Sequence, residues 1–108
     1  ETIEYGIDRY TNEVNRLYGV MNKRLANHDY LAGEYSIADM ACIGWVIPHE
    51  RQGQKMEEFP HLKRWYQAVK SRPAVIRGID VGKEERARLS LADDKEAQKV
   101  LFGQRARD

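Results

Sequence analysis

Few residues in this chain have the type and spacing to do chemistry. Ser36 and Asp39 stand three apart, where a hydroxyl and a carboxylate could serve as nucleophile and orienting acid. No motif brings a histidine near them, so the triad logic is incomplete. The same spacing in Ser36-Ile37-Ala38-Asp39, just before an apolar run, is an acidic variant of the capping box. Ser36 accepts a first-turn N–H, that of Asp39, and the Asp39 carboxylate reaches back to the N–H of Ser36. The pair is therefore read as a structural N-cap. Cys42, the one cysteine, falls inside the apolar run, where a thiol is inert packing; a reactive thiolate needs an electropositive, partly open setting. His28, His49 and His61 stand 21 and 12 residues apart, without metal-ligand spacing. Gly78 and Gly82 make neither a dinucleotide fingerprint nor a phosphate loop. Trp45, Trp65 and Tyr66 read as core, and Arg105 and Arg107 as a solvated tail. Spacing alone assigns no catalytic residue and no metal site.

The elements that must hold these residues are helical. Ile3, Ile7, Tyr10, Val14, Leu17, Met21 and Leu25 recur at three- and four-residue intervals, which predicts one apolar stripe on a helix running to about Asn27. Asp8, Arg9, Glu13 and Arg16 lie on its other faces, and Arg9 can pair with Glu13. Asn27-His28-Asp29 breaks the pattern, and Tyr30-Leu31-Ala32-Gly33 must tuck back against the bundle. After the cap, Met40 to Ile47 is apolar on every side, which predicts a central helix buried all round. Tyr35 and Met40 are spaced for a hydrophobic staple. Pro48 ends or kinks that helix. Pro60 suits the first position of the next one, whose inner face is Leu62, Trp65, Tyr66 and Val69. Arg72-Pro73 closes it, and Ala74 to Ile79 adds one or two turns. Residues 1–82 are thus expected to form one all-α domain, a helical bundle around a capped, buried central helix. Residues 83–108 are expected to be a polar extension, with Lys83 to Arg88 as linker and Ala97, Val100, Leu101 and Phe102 able to dock a terminal helical turn.

Composition excludes several classes. Of 108 residues, 18 are Lys or Arg and 17 Asp or Glu, a net charge of +1; that field is too weak to mark a nucleic-acid binder. An all-apolar central helix also has no face to offer a DNA groove. One cysteine rules out an intrachain disulfide framework. No run reaches the roughly 18 apolar residues of a membrane span, and no signal peptide precedes the first helix. The expected setting is soluble and cytoplasmic.

The ordered set Arg9-Tyr10, Arg16-Leu17-Tyr18, Leu25, Tyr30 to Gly33, Tyr35 to Asp39, Trp45, Phe59-Pro60, Leu62, Trp65 and Ser71 to Ala74 resembles the C-terminal helical domain of a glutathione transferase. The Arg9-Tyr10 start, His49 to Gln54 and Val100 to Gln104 are similar to the bacterial disulfide-bond oxidoreductase, Nu-class-like branch. The resemblance implies a two-domain homodimer whose thioredoxin-like N-terminal domain, not in this chain, binds glutathione as co-substrate and contacts its sulfur. No catalytic residue is carried over to this chain, which is expected to be inactive alone. It implies that this domain supplies a hydrophobic substrate site and dimer interface, for an electrophile or disulfide as second substrate. Arg9 is the implied contact to glutathione, across the dimer, with Tyr5 and Tyr10 as weaker lining residues. Ser36 and Asp39 carry over as a structural cap only. No metal, nucleic acid or membrane is implied. A second reading is a helical interaction module that has kept the fold and lost catalysis.

Overall fold

In a computed structural model of the protein, residues 3–88 and 94–103 are described. They form α1 (Glu4–Leu25), α2 (Ile37–Val46), a 3₁₀ turn (Met56–Glu58), α3 (Pro60–Lys70), α4 (Pro73–Asp80), α5 (Lys83–Arg88) and α6 (Lys95–Phe102). Strand-like pairing among them is limited to isolated bridges in the Tyr30–Glu34 loop. The chain divides into two compact units after Ile76.

In the first unit α3 is the hub. Pro60 opens it without wasting an N–H, and Leu62, Trp65 and Val69, at i, i+3 and i+7, are wholly buried. Tyr18 and Leu25 of α1, Ile43 and Val46 of α2, and Met56 and Phe59 of the intervening segment complete this core. Helix ends are finished by distant side chains. Asn22 Oδ1, on α1, accepts the N–H groups of His61 and Leu62 at 2.9 and 3.1 Å, which would otherwise be orphan donors of α3. In return Arg64 of α3 donates to the carbonyls of Leu25 and His28 at 3.0 and 2.9 Å, closing the end of α1.

Two packing expectations change. The stripe on α1 is only half used: Val14 and Met21 are partly buried and Leu25 fully, but Ile3, Ile7, Tyr10 and Leu17 are exposed. The buried line runs through Tyr18 instead, because α3 and Phe59 meet α1 there; the Tyr18 and Phe59 rings pack edge-to-face at 5.8 Å. Likewise α2 is not buried all round. Ile43 and Val46 face α3, while Ile37, Met40, Ala41, Gly44 and Trp45 are exposed. An all-apolar sequence permits burial on every side, yet burial needs a covering element, and the described residues supply one for only one face. Met40 is therefore half exposed, and Trp45 lies outside the core.

Where α2 ends, Pro48 brings no N–H to the ladder, and the His49 N–H turns to the Val46 carbonyl. The freed Trp45 carbonyl accepts from Gln52 Nε2 at 3.0 Å. The Tyr18 hydroxyl donates to Gln52 Oε1 at 2.6 Å, and burial pushes the pKa of that phenol up to about 12, with neighbouring Tyr66 adding to the shift.

The second unit begins at Arg77. Lys83–Arg88 is helix rather than linker. Every residue of Lys83-Glu84-Glu85-Arg86-Ala87-Arg88 is a good helix former, and Gly82, at φ 69°, makes the left-handed break from α4 that lets a new helix start. Arg86 donates to the carbonyls of Ile79 and Val81 at the end of α4. Asp94 caps α6, its carboxylate accepting from Glu96 and Ala97 at 3.0 and 2.9 Å. The side chains of Leu101 and Phe102, and residues Gln104, Arg105 and Arg107, lie outside the description.

Candidate functional site

The singled-out residues fall into two places. Ser36 and Asp39 form a reciprocal cap on α2: Ser36 Oγ accepts from Ala38 N–H at 3.3 Å, and Asp39 Oδ2 accepts from Ser36 N–H at 3.0 Å. Asp39 does more than cap. Its Oδ1 also accepts from the Trp65 indole N–H at 2.6 Å and the Leu31 N–H at 3.1 Å. One side chain with no solvent exposure thereby joins the Tyr30–Glu34 loop, α2 and α3. With both oxygens engaged and no exposure to solvent, it is committed to holding these elements together.

The sequence spacing missed Leu31 and Trp65 as its partners, since they lie 8 and 26 residues away. The available signal was the requirement that a buried carboxylate be satisfied by several donors. Cys42, one turn beyond, is partly buried, and burial raises its pKa, with the charge of Asp39 adding to the effect. That is the opposite of nucleophile activation. His49 turns Nδ1 to the Val46 carbonyl at 3.0 Å and its ring edge to Tyr66. Among the described residues no group of His, Cys, Asp and Glu could hold a metal ion, and no helix is long and apolar enough to cross a membrane.

The second place is the N-terminal half of α1. Tyr5, Arg9, Tyr10, Glu13 and Arg16 line an open cleft of about 720 Å³. Tyr5 and Arg9, four apart, share one face of α1, and Tyr10, the next residue, lines the same cleft from the side. Both rings are exposed, at 74% and 70%. The arginines of α1 differ in their commitments. Arg16 is held by Glu13 through two bonds, Nε to Oε2 at 2.9 Å and a terminal nitrogen to Oε1 at 2.7 Å. Arg24 donates Nε to the Leu31 carbonyl at 2.9 Å. Arg9 has no hydrogen bond or salt bridge among the described residues. The bonds from Arg16, with the charges of Arg16 and Arg9, hold the Glu13 carboxyl below its ordinary range. An exposed guanidinium without a hydrogen-bond partner among the described residues, in a cleft that also holds Asp8 and Asn12 but no Ser, Cys or His, can bind an anion in a planar, two-pronged way; it cannot itself make or break a covalent bond.

Comparison with known proteins gives the family. The family model for the glutathione S-transferase C-terminal domain matches residues 7–73. The chain is similar to the disulfide-bond oxidoreductase YfcG of Escherichia coli (strain K12), 49% identical over 75 residues, covering 68% of this chain and 35% of that protein. It is also similar to the disulfide-bond oxidoreductase YghU of the same organism, 40% identical over 84 residues, covering 70% and 29%. A GST-like protein of Streptococcus mutans is 37% identical over 90 residues, covering 75% and 34%. The chain thus spans about a third of the length of the curated relatives it matches.

Proposed function

Since the chain belongs to the glutathione S-transferase C-terminal domain family, we propose that it is the helical part of a glutathione-dependent enzyme, a disulfide-bond oxidoreductase or transferase. The names of its two Escherichia coli relatives support the oxidoreductase form. In this reading residues 1–82 are the helical domain, and the group contacting the glutathione sulfur belongs to a thioredoxin-like domain outside the chain. Residues 1–108 alone are inactive. Glutathione thiolate attacks one sulfur of a substrate disulfide, giving a mixed disulfide and a released thiolate; a second glutathione thiolate then displaces the substrate and leaves as glutathione disulfide. No protein cysteine takes part, which suits the elevated pKa of Cys42. Thiol chemistry of this kind belongs in the reducing cytoplasm.

The role of this chain is binding. The exposed apolar residues of α1 and α2 supply surface for a hydrophobic substrate and for a homodimer, with Tyr5 and Tyr10 lining the cleft. Arg9 takes a glutathione carboxylate, across the dimer. The observation that carries this reading is that Arg9, alone among the arginines of α1, makes no hydrogen bond or salt bridge among the described residues. In the intact protein, Arg9→Ala should raise the KM for glutathione or the Kd for glutathione disulfide and leave the fold unchanged. Unaltered values would return Arg9 to the role of a solvated helix-face charge.

A further inference from the structure

Resting on the assignment of Arg9, we propose that Glu13 determines how many ends of a peptide ligand this cleft can grip. By occupying Arg16 it leaves Arg9 as the single open cation, so that an extended dicarboxylate is held at one carboxylate only.

Arg9 and Arg16 are seven residues apart, two helical turns, and so lie nearly in line on one face of α1, about 10.5 Å apart along the axis. Both line the same cleft. Glutathione, with its γ-linked glutamyl residue, spans about 10–13 Å between its two carboxylates when extended. The two guanidiniums are thus spaced to take both carboxylates of glutathione, one from each end. Glu13 stands between them and both its oxygens are taken by Arg16, at 2.7 and 2.9 Å. It does not pair with Arg9, four residues before it; an acid C-terminal to its base is the weaker order on a helix. The fork on Arg16 uses the geometry a ligand carboxylate would need. One guanidinium is therefore open and the other closed by a built-in competitor. The low pKa of Glu13 keeps that competitor charged through the neutral range. The consequence for specificity is confined to this cleft: the ligand end that meets Arg16 gains no charge-assisted bond there, so an ester, an amide or a longer peptide at that end costs nothing in this cleft.

The test is calorimetric titration of the intact protein with glutathione and with its glycyl ethyl ester, which has one carboxylate fewer. Glu13→Gln opens Arg16, and it should tighten glutathione about two- to fivefold, the range for one exposed charge pair, with no gain for the ester. Adding Arg16→Ala to Glu13→Gln should return glutathione affinity to the wild-type value. No gain in Glu13→Gln, an equal gain for the ester, or a gain that survives Arg16→Ala would each overturn the proposal. Arg9→Ala in the same series separates the two levels. A loss there without a gain in Glu13→Gln overturns only the role of Glu13, whereas no loss overturns the assignment of Arg9 beneath it. All three side chains are exposed on α1, and a thermal melt by circular dichroism verifies that each variant is folded.

Discussion

At Asp39 three N–H donors converge on two carboxylate oxygens with no exposure to solvent. At Arg9 a guanidinium with five N–H donors faces an open cleft and engages none of them among the described residues. Both are charged residues on helices of the same unit. A buried polar group must be satisfied internally or it destabilises the fold by its full desolvation penalty. An exposed one has water as a partner and can exchange it for a ligand at little cost. The internally saturated charge serves folding; the uncommitted one is available for recognition.

The largest test of that contrast is Asp39→Ala, which strands the donors of Trp65, Leu31 and Ser36 together. Urea denaturation should show a loss of about 3–5 kcal/mol, the scale of a broken buried polar network. Asp39→Asn should also destabilise, because an amide has one acceptor oxygen and would turn N–H bonds toward a donor. An Asp39→Ala loss no larger than that of Ser36→Ala would show that Asp39 is merely a cap.

The buried phenol of Tyr18 gives a pH signature. Its pKa is about 12 in the fold and about 10 in the unfolded chain. Below pH 10 both states keep the proton, so its contribution is constant. Between pH 10 and 12 the unfolded chain ionises first, binds fewer protons, and stability falls. Tyr18→Phe should flatten this decline in a pH series of melts.

Ser36→Ala removes one acceptor at the edge of α2, and the loss should be about 1 kcal/mol. Smallest is Arg9→Ala, for which the melting temperature should not move while glutathione binding weakens. A destabilised Arg9→Ala would erase the contrast with Asp39.

Much of the secondary structure was legible because its determinants are local. The Ser36 cap, the stop at Pro48, the start at Pro60, the close at Arg72-Pro73 and the inner face of α3 each depend on residues within a turn or two. The misread segment 83–88 was local too; its polarity suggested linker, while its helix propensity and the preceding Gly82 pointed to α5. Of the candidate site, the sequence supplied Arg9, Tyr5 and Tyr10, all three by resemblance, and it supplied Arg16 and Glu13 only as helix-face charges. It did not show that Glu13 would choose Arg16 over Arg9, since pairing on a helix depends on rotamers as well as spacing.

By itself, then, the sequence determined where most helices begin and end, because capping atoms and proline nitrogens act on their own turn of backbone. Tertiary structure alone decided which apolar residues are covered. The stripes of α1 and α2 are equally apolar along their length, yet only the sides that meet α3 are buried. It also decided that Asn22 would cap α3 and Arg64 would close α1, across separations of 39 and 40 residues and of 39 and 36 residues. Hydrophobicity is a property of a side chain, whereas burial and long-range hydrogen bonding belong to a pair of surfaces, and the second surface is chosen only when the chain folds.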